Sequence, residues 1–312
     1  MNRPPCLTSA VALPLLAVAG ACHHAGPAVA PSPGSPALVA TAANVGFDEP
    51  ENLVYDSVAD VYLVSNIRGN PAARDGDGFI SRVGPDGQVL ALRWIAGGTN
   101  GAQLDAPKGL AIRGDTLAVA DLGAVHLFDR RTGAPVGSIA VPGLVLNDVA
   151  WGADGTLWIT DTGPDRGTTP VDTTKDMDAL WRVPPGGTPR AVARGLALDR
   201  PDGLVLDGRD ALVATFGADR IARVNETGAE GTSTFARLPG GRVDGLRRLA
   251  DGGLVVTSWD AHAVWRLDAS GGSRRVLLAG VTSPAGVAVD TRRQRLAVTS
   301  MQGNALYLLP LR

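Results

Sequence analysis

One short pattern recurs six times along the chain and constrains the fold more than any other feature. Each copy has a turn residue, then an apolar strand, then a second strand. The copy Pro201-Asp202-Gly203-Leu204-Val205, followed by residues 211–215, is the clearest. The equivalent position in the six copies is occupied by Glu51, Lys108, Asn147, Asp202, Asp244 and Ala285. These positions are separated by 57, 39, 55, 42 and 41 residues, so the chain repeats one structural unit.

The repeat predicts an all-β fold. A base period of about 40 residues is typical of propeller blades. The 40 Gly and 22 Pro residues favour many turns and short strands. In every copy a third strand follows the first two, and a turn leads towards a fourth. We therefore predict a six-bladed β-propeller of four-stranded blades over residues 36–312.

The ends of the chain predict how the ring closes. The sixth copy stops at Arg312, just after its third strand, so its fourth strand must come from elsewhere. Residues 36–41 lie directly before the first copy and have a strand-forming sequence. We predict that they pair with the last blade and leave no open edge there.

The first 35 residues predict export. Met1-Asn2-Arg3 precedes an apolar run over residues 7–21, which resembles a bacterial lipoprotein signal peptide (1–21) with Cys22 as the lipid-bearing residue. Residues 22–35 are rich in Pro, Ala, Gly and Ser, as in a flexible tether. We predict a lipid-anchored protein of the bacterial cell envelope, on the periplasmic face or the exterior. The alternative is a protein secreted after ordinary cleavage, without lipid on Cys22.

The net charge argues against a nucleic-acid partner, and the cysteine content argues against disulfide bonds in the globular part. A formal net charge of -2 without dense basic blocks gives no reason to expect a nucleic-acid partner. The membrane is expected to be contacted through the lipid anchor alone. Cys6 would leave with the signal peptide and Cys22 would carry the lipid, so the globular part has no thiol for a disulfide. We expect a monomer.

The propeller geometry predicts a metal site at one mouth of the central channel. The innermost strands line the channel, so the six equivalent residues lie on one rim, and we call them the rim residues. The second strand returns its far end to the same rim. The far ends of the second strands carry polar residues in the first three copies. Together with Asp148 they are the candidates for contact with substrate at the mouth: Asn66, Asp121 and Asp161.

The rim residues include three carboxylates and one carboxamide. This set suits a divalent cation, for which Ca²⁺ is the first candidate and Mg²⁺, Mn²⁺ and Zn²⁺ are the alternatives. Two other interpretations stay open. Asp244 could serve turn geometry alone, and the ammonium of Lys108 could pair with the carboxylates and make a metal unnecessary.

Three motifs carry a family resemblance. The start of the first copy at Glu51, the pair Asn147-Asp148 and the triplet Pro201-Asp202-Gly203 resemble the senescence-marker-protein (regucalcin), gluconolactonase and luciferin-regenerating-enzyme family of six-bladed propellers. Paraoxonases and NHL-repeat propellers are more distantly similar. The resemblance implies a divalent metal held by Glu51, Asn147 and Asp202, with Asp202 also the catalytic base of lactone hydrolysis. It further implies that Asp244 lies in a blade from which paraoxonase-like relatives supply another ligand.

Lys108 departs from the family pattern, in which this position usually holds Asn or Asp for substrate contact. We expect Lys108 to stabilise an oxyanion or a substrate carboxylate. The leading hypothesis is an envelope-anchored, divalent-metal-dependent hydrolase of a lactone or related ester, a small-molecule substrate. The alternative is a non-catalytic propeller that binds a protein, glycan or small ligand. The insertions at residues 68–78 and 162–178 follow second strands, so we expect them to lie over the mouth.

Overall fold

The structure is a computed structural model that describes residues 37–163, 177–225 and 232–311. In these residues the chain forms six sheets of four antiparallel strands each. The innermost strands contact one another in sequence order around a closed ring, which makes the fold a six-bladed β-propeller, as predicted. The predicted signal peptide, the tether with Cys22 and most of the second insertion lie outside the described residues.

Each blade contributes one strand to each position from the channel outwards. The innermost strands are β2 (Pro50–Asp56), β6 (Leu110–Arg113), β10 (Leu146–Trp151), β14 (Pro201–Asp207), β18 (Val243–Arg248) and β22 (Pro284–Asp290). The second strands are β3 (Val61–Asn66), β7 (Thr116–Ala120), β11 (Leu157–Asp161), β15 (Asp210–Thr215), β19 (Leu254–Ser258) and β23 (Arg295–Ser300).

The outer half of each blade is built in the same way. The third strands are β4 (Phe79–Val83), β8 (Ala124–Asp129), β12 (Ala179–Val183), β16 (Arg220–Val224), β20 (Ala263–Leu267) and β24 (Ala305–Pro310). The fourth strands are β5 (Val89–Ala96), β9 (Pro135–Ala140), β13 (Arg190–Arg194), β17 (Ser233–Arg237), β21 (Arg274–Ala279) and, for blade 6, β1 (Ala40–Ala43). One 3₁₀ helix, Leu196–Leu198, precedes β14. No helix in the described residues is long and apolar enough to cross a membrane.

Strand β1 closes the ring by completing the last blade. It pairs antiparallel with β24, with Ala40 opposite Leu308 and Ala43 opposite Ala305. The amide of Val39 also donates to the carbonyl of Leu308 at 2.7 Å. The prediction of closure is confirmed, although the strand begins at Ala40 rather than at residue 36. Blade 6 therefore joins the two ends of the chain and presents no unpaired edge between them.

The hydrophobic core lies between neighbouring blades. Each of the six blade interfaces holds its own cluster of buried side chains, drawn from the facing surfaces of both sheets. Trp181 packs with Ala118 and Leu146 between blades 2 and 3, for example. Strands with both faces covered need apolar side chains at successive positions, which explains the nearly continuous apolar runs of the second strands.

Hydroxyl groups tie the blades together at the rim. Inner strands such as β14 carry a bulge just after the rim residue, between Pro201 and Leu204. Three second-strand threonines donate to the carbonyl of the next blade's rim residue: Thr160 to Asp202 at 2.6 Å, Thr257 to Ala285 at 2.7 Å and Thr299 to Glu51 at 2.8 Å. The position of a rim residue is thus set partly by the blade before it.

Candidate active site

The mouth of the channel contains a cavity of about 120 Å³, which we call the mouth cavity. Five of the six rim residues line it, and Ala285 does not. Its walls are largely apolar and include Ile67, Val145, Phe216, Trp259 and Met301. The lining rim residues are buried, with exposed fractions between 3% and 7%. The structure therefore brings Glu51, Lys108, Asn147, Asp202 and Asp244 together in one desolvated space.

Three carboxylates form the floor of the mouth cavity. One oxygen from each of Glu51, Asp202 and Asp244 lies within 4.8 Å of the others. Asn147 adjoins them, because its Nδ2 donates to Asp202 Oδ2 at 2.9 Å and to Thr162 Oγ1 at 3.0 Å. These two bonds fix the amide plane of Asn147.

Two of the buried oxygens have no hydrogen-bond donor. Glu51 Oε2 and Asn147 Oδ1 are both without a partner in the structure. Leaving a buried acceptor unsatisfied costs about 1–3 kcal/mol, so such atoms call for a ligand. Several carboxylate and carboxamide oxygens that converge in one buried place are the donor set that a hard divalent cation takes. The residues present thus fit a metal ion.

The electrostatics of the floor also favour a cation. Burial, reinforced by the neighbouring carboxylate of Asp148, raises the pKa of Asp202 to about 8. Burial and the charge of Asp202 raise the pKa of Glu51, and the pKa of Asp244 is raised for the same two reasons. Like charges confined in a dry space resist ionisation, and a divalent cation between them would reverse that effect.

Lys108 does not neutralise this floor directly. Its Nζ donates to the carbonyl oxygens of Pro71 at 2.9 Å and Ala106 at 2.8 Å. It forms no ion pair with any carboxylate of the described residues. Burial lowers the pKa of Lys108, while Asp121, Glu51 and Asp202 oppose that shift. The open alternative, in which Lys108 pairs with the rim carboxylates in place of a metal, is therefore not what the structure contains.

The first insertion lies over the mouth, as predicted. Pro71 and Ala72 of residues 68–78 line the mouth cavity, and the bond from Lys108 fixes this loop to the rim. Thr162 and Gly163, at the start of the second insertion, line the cavity from the side of blade 3. Residues 164–176 of that insertion lie outside the described residues.

The second-strand ends serve the loops rather than the cavity. Asp121 accepts hydrogen bonds from the amides of Asp105, Ala106 and Leu122 at 2.7–2.8 Å. Asp161 accepts in the same way from the amides of residues 144, 145 and 163. Asn66 accepts from the amide of residue 48 and donates to Ser81. These three side chains do not line the mouth cavity, because backbone N–H groups of the loops entering each blade occupy their oxygens.

A second polar layer lies one residue deeper in the channel. Asp148 is fully buried, and its two oxygens accept four hydrogen bonds. The donors are Asn52 Nδ2 at 3.3 Å, the amides of Val149 and Leu204 at 2.9 Å and Arg247 Nη1 at 2.8 Å. Arg247 Nη2 also donates to Asn52 Oδ1 at 3.1 Å. We call Asn52, Asp148 and Arg247 the inner layer. Asp148, a predicted mouth residue, thus lies beneath the mouth cavity and does not line it.

In the other four blades, backbone atoms fill the channel at the level of the inner layer. Gly109, Gly203, Gly245 and Gly286 occupy the positions equivalent to Asn52 and Asp148 in the other blades. A Cβ at Gly203 would lie 2.3 Å from the carbonyl oxygen of Asp244, and one at Gly245 would lie 2.3 Å from that of Ala285. Glycine is required at these positions because the inner strands approach closely.

Sequence reasoning missed two arginines near the site. Arg200 lines the mouth cavity beside Phe216, and Arg247 belongs to the inner layer. The repeat alignment contained a signal for Arg247, because the equivalent positions are small or β-branched: Val54, Ala111, Ala150, Val205 and Ala288. A long cation among five short apolar counterparts indicates a specific partner within the channel.

The comparisons with known proteins agree with this architecture. A family model described as SMP-30/Gluconolactonase/LRE-like region matches residues 85–302. A search of curated proteins finds no match. Solved structures do match. A gluconolactonase from Xanthomonas campestris has a TM-score of 0.65 at 21% identity, over 92% of this chain and 98% of that chain. A calcium-binding protein, regucalcin, from Agrobacterium tumefaciens has a TM-score of 0.62 at 16% identity, over 88% of this chain and 93% of that chain. At these identities the structural likeness establishes the shared fold.

Proposed function

Because the chain belongs to the SMP-30/gluconolactonase/LRE-like family, we propose that it is a divalent-metal-dependent hydrolase of a lactone or related ester. The observation that carries the proposal is the pair of orphaned acceptors, Glu51 Oε2 and Asn147 Oδ1, beside three converging carboxylates. An active site must leave such groups free for a ligand, whereas a purely structural channel would satisfy them.

Four side chains would hold the metal: Glu51, Asn147, Asp202 and Asp244. Ca²⁺ is the first candidate, because the donors are all oxygens and the regucalcin with the same fold is a calcium-binding protein. Mg²⁺, Mn²⁺ and Zn²⁺ are the alternatives. A bound divalent cation would polarise the substrate carbonyl and lower the pKa of a water molecule.

The chain's own residues supply the remaining functions. Asp202 would accept the proton of the water that attacks the carbonyl. The hydrogen bond from Asn147 Nδ2 orients the Oδ2 atom of Asp202 for this purpose. Lys108 donates two hydrogens to carbonyl oxygens and keeps a third for an oxygen of the substrate. The apolar walls formed by Ile67, Val145 and Met301 exclude water and strengthen these interactions.

Metal analysis with a matched pair of variants tests the metal part of the proposal. We expect the purified protein to contain a divalent ion and to bind Ca²⁺ in calorimetry. Glu51→Gln should weaken that binding at least tenfold, because a charged ligand is lost. Asp290→Asn is the control, because it neutralises a fully buried carboxylate at the far end of β22 from the mouth cavity, and it should keep the wild-type affinity. Wild-type protein that binds none of the four ions would remove the basis of the proposal.

A panel of lactones and aryl esters tests the catalytic part. We expect metal-dependent hydrolysis of at least one lactone by the wild type. The rival function is a non-catalytic propeller that binds a protein, glycan or small ligand. A protein that binds metal but hydrolyses nothing on the panel, and whose Asp202→Asn variant still retains a copurifying partner, would favour that rival.

We also propose that the protein is anchored in the bacterial cell envelope through a lipid on Cys22. The support is the order of the leader sequence: an apolar run, small residues, then Cys22 and a polar tether. Mass spectrometry of the protein from membranes should reveal a diacylglyceryl mass on Cys22, and Cys22→Ser should release the protein into the soluble fraction. Wild-type protein without lipid in the soluble fraction would instead favour the alternative of ordinary secretion.

A further inference from the structure

Two arginines occupy equivalent positions in neighbouring blades and can be compared directly. Arg200 and Arg242 each lie two residues before the rim residue, in the left-handed region with φ of 57° and 47°. Each guanidinium stacks on an aromatic ring at the end of the second strand. Arg200 lies 5.2 Å from the centroid of Phe216, and Arg242 lies 5.3 Å from that of Trp259. The backbone and the stacking are therefore the same in the two blades.

The two arginines differ in their charge partner. Arg242 Nε donates to Asp260 Oδ1 at 2.6 Å, and Asp260 directly follows the aromatic residue of its blade. The residue after the aromatic in blade 4 is Gly217, which has no side chain to pair with Arg200. A Cβ at Gly217 would lie 2.8 Å from the carbonyl oxygen of Asp199, so this backbone contact leaves no room for an aspartate.

Arg200 consequently lines the mouth cavity without a hydrogen-bonded partner of its own, although its charge opposes the rise in the pKa of Asp202. Among residues 37–163, 177–225 and 232–311, none accepts a hydrogen bond from its guanidinium or forms an ion pair with it. Its Nε is buried without a partner. Arg200 lines the mouth cavity, whereas Arg242 does not. A partly buried guanidinium with a buried Nε that lacks an acceptor favours an anionic ligand, since that donor is otherwise unsatisfied.

The charge of the mouth cavity points to the same class of ligand. The three carboxylates of Glu51, Asp202 and Asp244, with Lys108 and Arg200, give a sum of -1. Asp148 and Arg247 beneath them pair with each other and add nothing. With a divalent cation bound, the sum becomes +1. A substrate with one negative charge would bring it to zero.

We propose that Arg200 is a specificity-determining residue that binds a carboxylate carried by the substrate, so that the preferred substrates are lactones or esters with a free carboxylate. The proposal rests on the proposed function and names its substrate class. A carboxylate fits the charge balance better than a phosphate because it carries a single charge, and it can form a bidentate pair with the guanidinium. Lys108, bound to Pro71 and Ala106, remains for the oxygen of the reacting carbonyl.

Binding calorimetry tests the proposal without relying on catalysis. The probes are gluconate and glucarate, the ring-opened products of two lactones. Both have the carboxylate that replaces the reacting carbonyl, and only glucarate has a second carboxylate, where gluconate has a hydroxymethyl group. We expect the metal-loaded wild type to bind glucarate at least tenfold more tightly than gluconate, because glucarate can form an additional charge-assisted bidentate pair with Arg200. Arg200→Gln should bind the two acids with equal affinity. Arg242→Gln, the matched control, should keep the wild-type preference.

Kinetics with glucarolactone and gluconolactone supply the second readout. Arg200→Gln should lower kcat/KM for the carboxylate-bearing lactone at least tenfold, mainly through KM, and leave the neutral lactone unchanged. For the carboxylate-bearing lactone, kcat/KM of Arg200→Lys should lie between the values of the wild type and of Arg200→Gln. Lysine keeps the positive charge but loses the planar guanidinium that can form a bidentate pair. Equal binding of both acids by the wild type, or an equal loss for both lactones in Arg200→Gln, would overturn the proposal. A wild type that prefers glucarate but hydrolyses no lactone would disprove the proposed function and support the carboxylate site.

Discussion

Two polar layers of the channel lie one residue apart and differ in how far their hydrogen bonds are satisfied. In the inner layer, the two oxygens of Asp148 accept four hydrogen bonds, one of them from Arg247. At the rim, Glu51 Oε2 and Asn147 Oδ1 accept none. Both layers are buried, and both come from the same inner strands. The difference indicates that the inner layer holds the ring together, whereas the rim has acceptors free for the proposed ligand.

Burial of acidic residues therefore does not by itself identify a site in this fold. Asn147 and Asp148 are adjacent in sequence, and both are less than a tenth exposed. What separates them is the supply of donors. Backbone amides and a guanidinium reach the deeper position, whereas at the rim Nδ2 of Asn147 reaches Asp202 and no donor reaches the oxygen of Asn147 itself.

The largest expected effect belongs to the rim. Asp202→Asn should lower kcat for lactone hydrolysis by about 10²–10⁴-fold, because the general base is lost. The melting temperature of the metal-free protein should not fall, since the raised pKa of Asp202 means that its ionised form costs stability and the neutral amide does not. Steady-state kinetics and calorimetry measure the two quantities. A variant that keeps its activity but melts much earlier would place Asp202 with the inner layer instead.

The inner layer should respond in the opposite way. Asp148→Ala should lower the free energy of unfolding by about 3–5 kcal/mol, because it leaves Arg247 without its buried partner. Denaturant unfolding measures this loss. The double variant Asp148→Ala with Arg247→Met should lose less than the sum of the two single variants. Additive losses would mean that the two side chains do not act as a unit.

Metal removal should change how stability depends on pH. Asp202 has a pKa of about 8 in the folded metal-free protein, against an ordinary value of 3.8. A raised acid pKa contributes stability that is present below the ordinary value and is lost as the pH rises through the folded value. The melting temperature of the metal-free protein should therefore fall between about pH 4 and pH 8.

Saturating Ca²⁺ should largely abolish this fall. At a concentration one hundred times Kd it should add about 2.7 kcal/mol of stability. Scanning calorimetry of chelator-treated and Ca²⁺-loaded protein measures the effect, and Glu51→Gln is the control in which Ca²⁺ should have little influence. Identical curves with and without Ca²⁺ would contradict a cation site at the rim.

The smallest effect is expected at Lys108, the rim residue that donates to two carbonyl oxygens. Lys108→Met should cost about 1 kcal/mol, because the carbonyls of Pro71 and Ala106 lose their donor. The loop at residues 68–78 should become more sensitive to protease. Ca²⁺ affinity should rise several-fold, since a positive charge leaves the vicinity of three carboxylates. Unchanged proteolysis together with weaker Ca²⁺ binding would show that Lys108 supports the site rather than the loop.

The fold was predictable from sequence because its information is local and repeated. Each blade carries its own strands and turns, and the spacing of the copies reveals six of them. The closing strand followed from the sixth copy, which lacked a fourth strand, and the pairing of Ala40 with Leu308 agrees with that reasoning. The rim residues followed from topology, since equivalent positions on inner strands must lie around one mouth.

The direction and partners of individual side chains were not predictable in the same way. Asp121 lies at the end of its strand as expected, but its oxygens accept hydrogen bonds from backbone amides of a loop. Because nearly every residue has a backbone amide, the sequence does not show which amides will be the donors. The bond from Lys108 ends on the carbonyl of Pro71, which likewise has no sequence signature. The proposed role of Arg200 depends on the absence of a side chain at Gly217, which becomes visible only by comparison with Arg242 and Asp260.

The hydrogen bond from Thr299 to the carbonyl of Glu51 spans 248 residues and has a consequence for the order of folding. Glu51 is the first proposed metal ligand along the chain, yet its carbonyl oxygen is bonded by a threonine of the last blade. Contacts of such long sequence separation form late, after the intervening blades have assembled. A chain that lacks its final strands would carry all four proposed ligands but would lose the bond from Thr299 that helps to position Glu51. If the rim holds a metal as proposed, tight binding of that metal would therefore depend on closure of the ring.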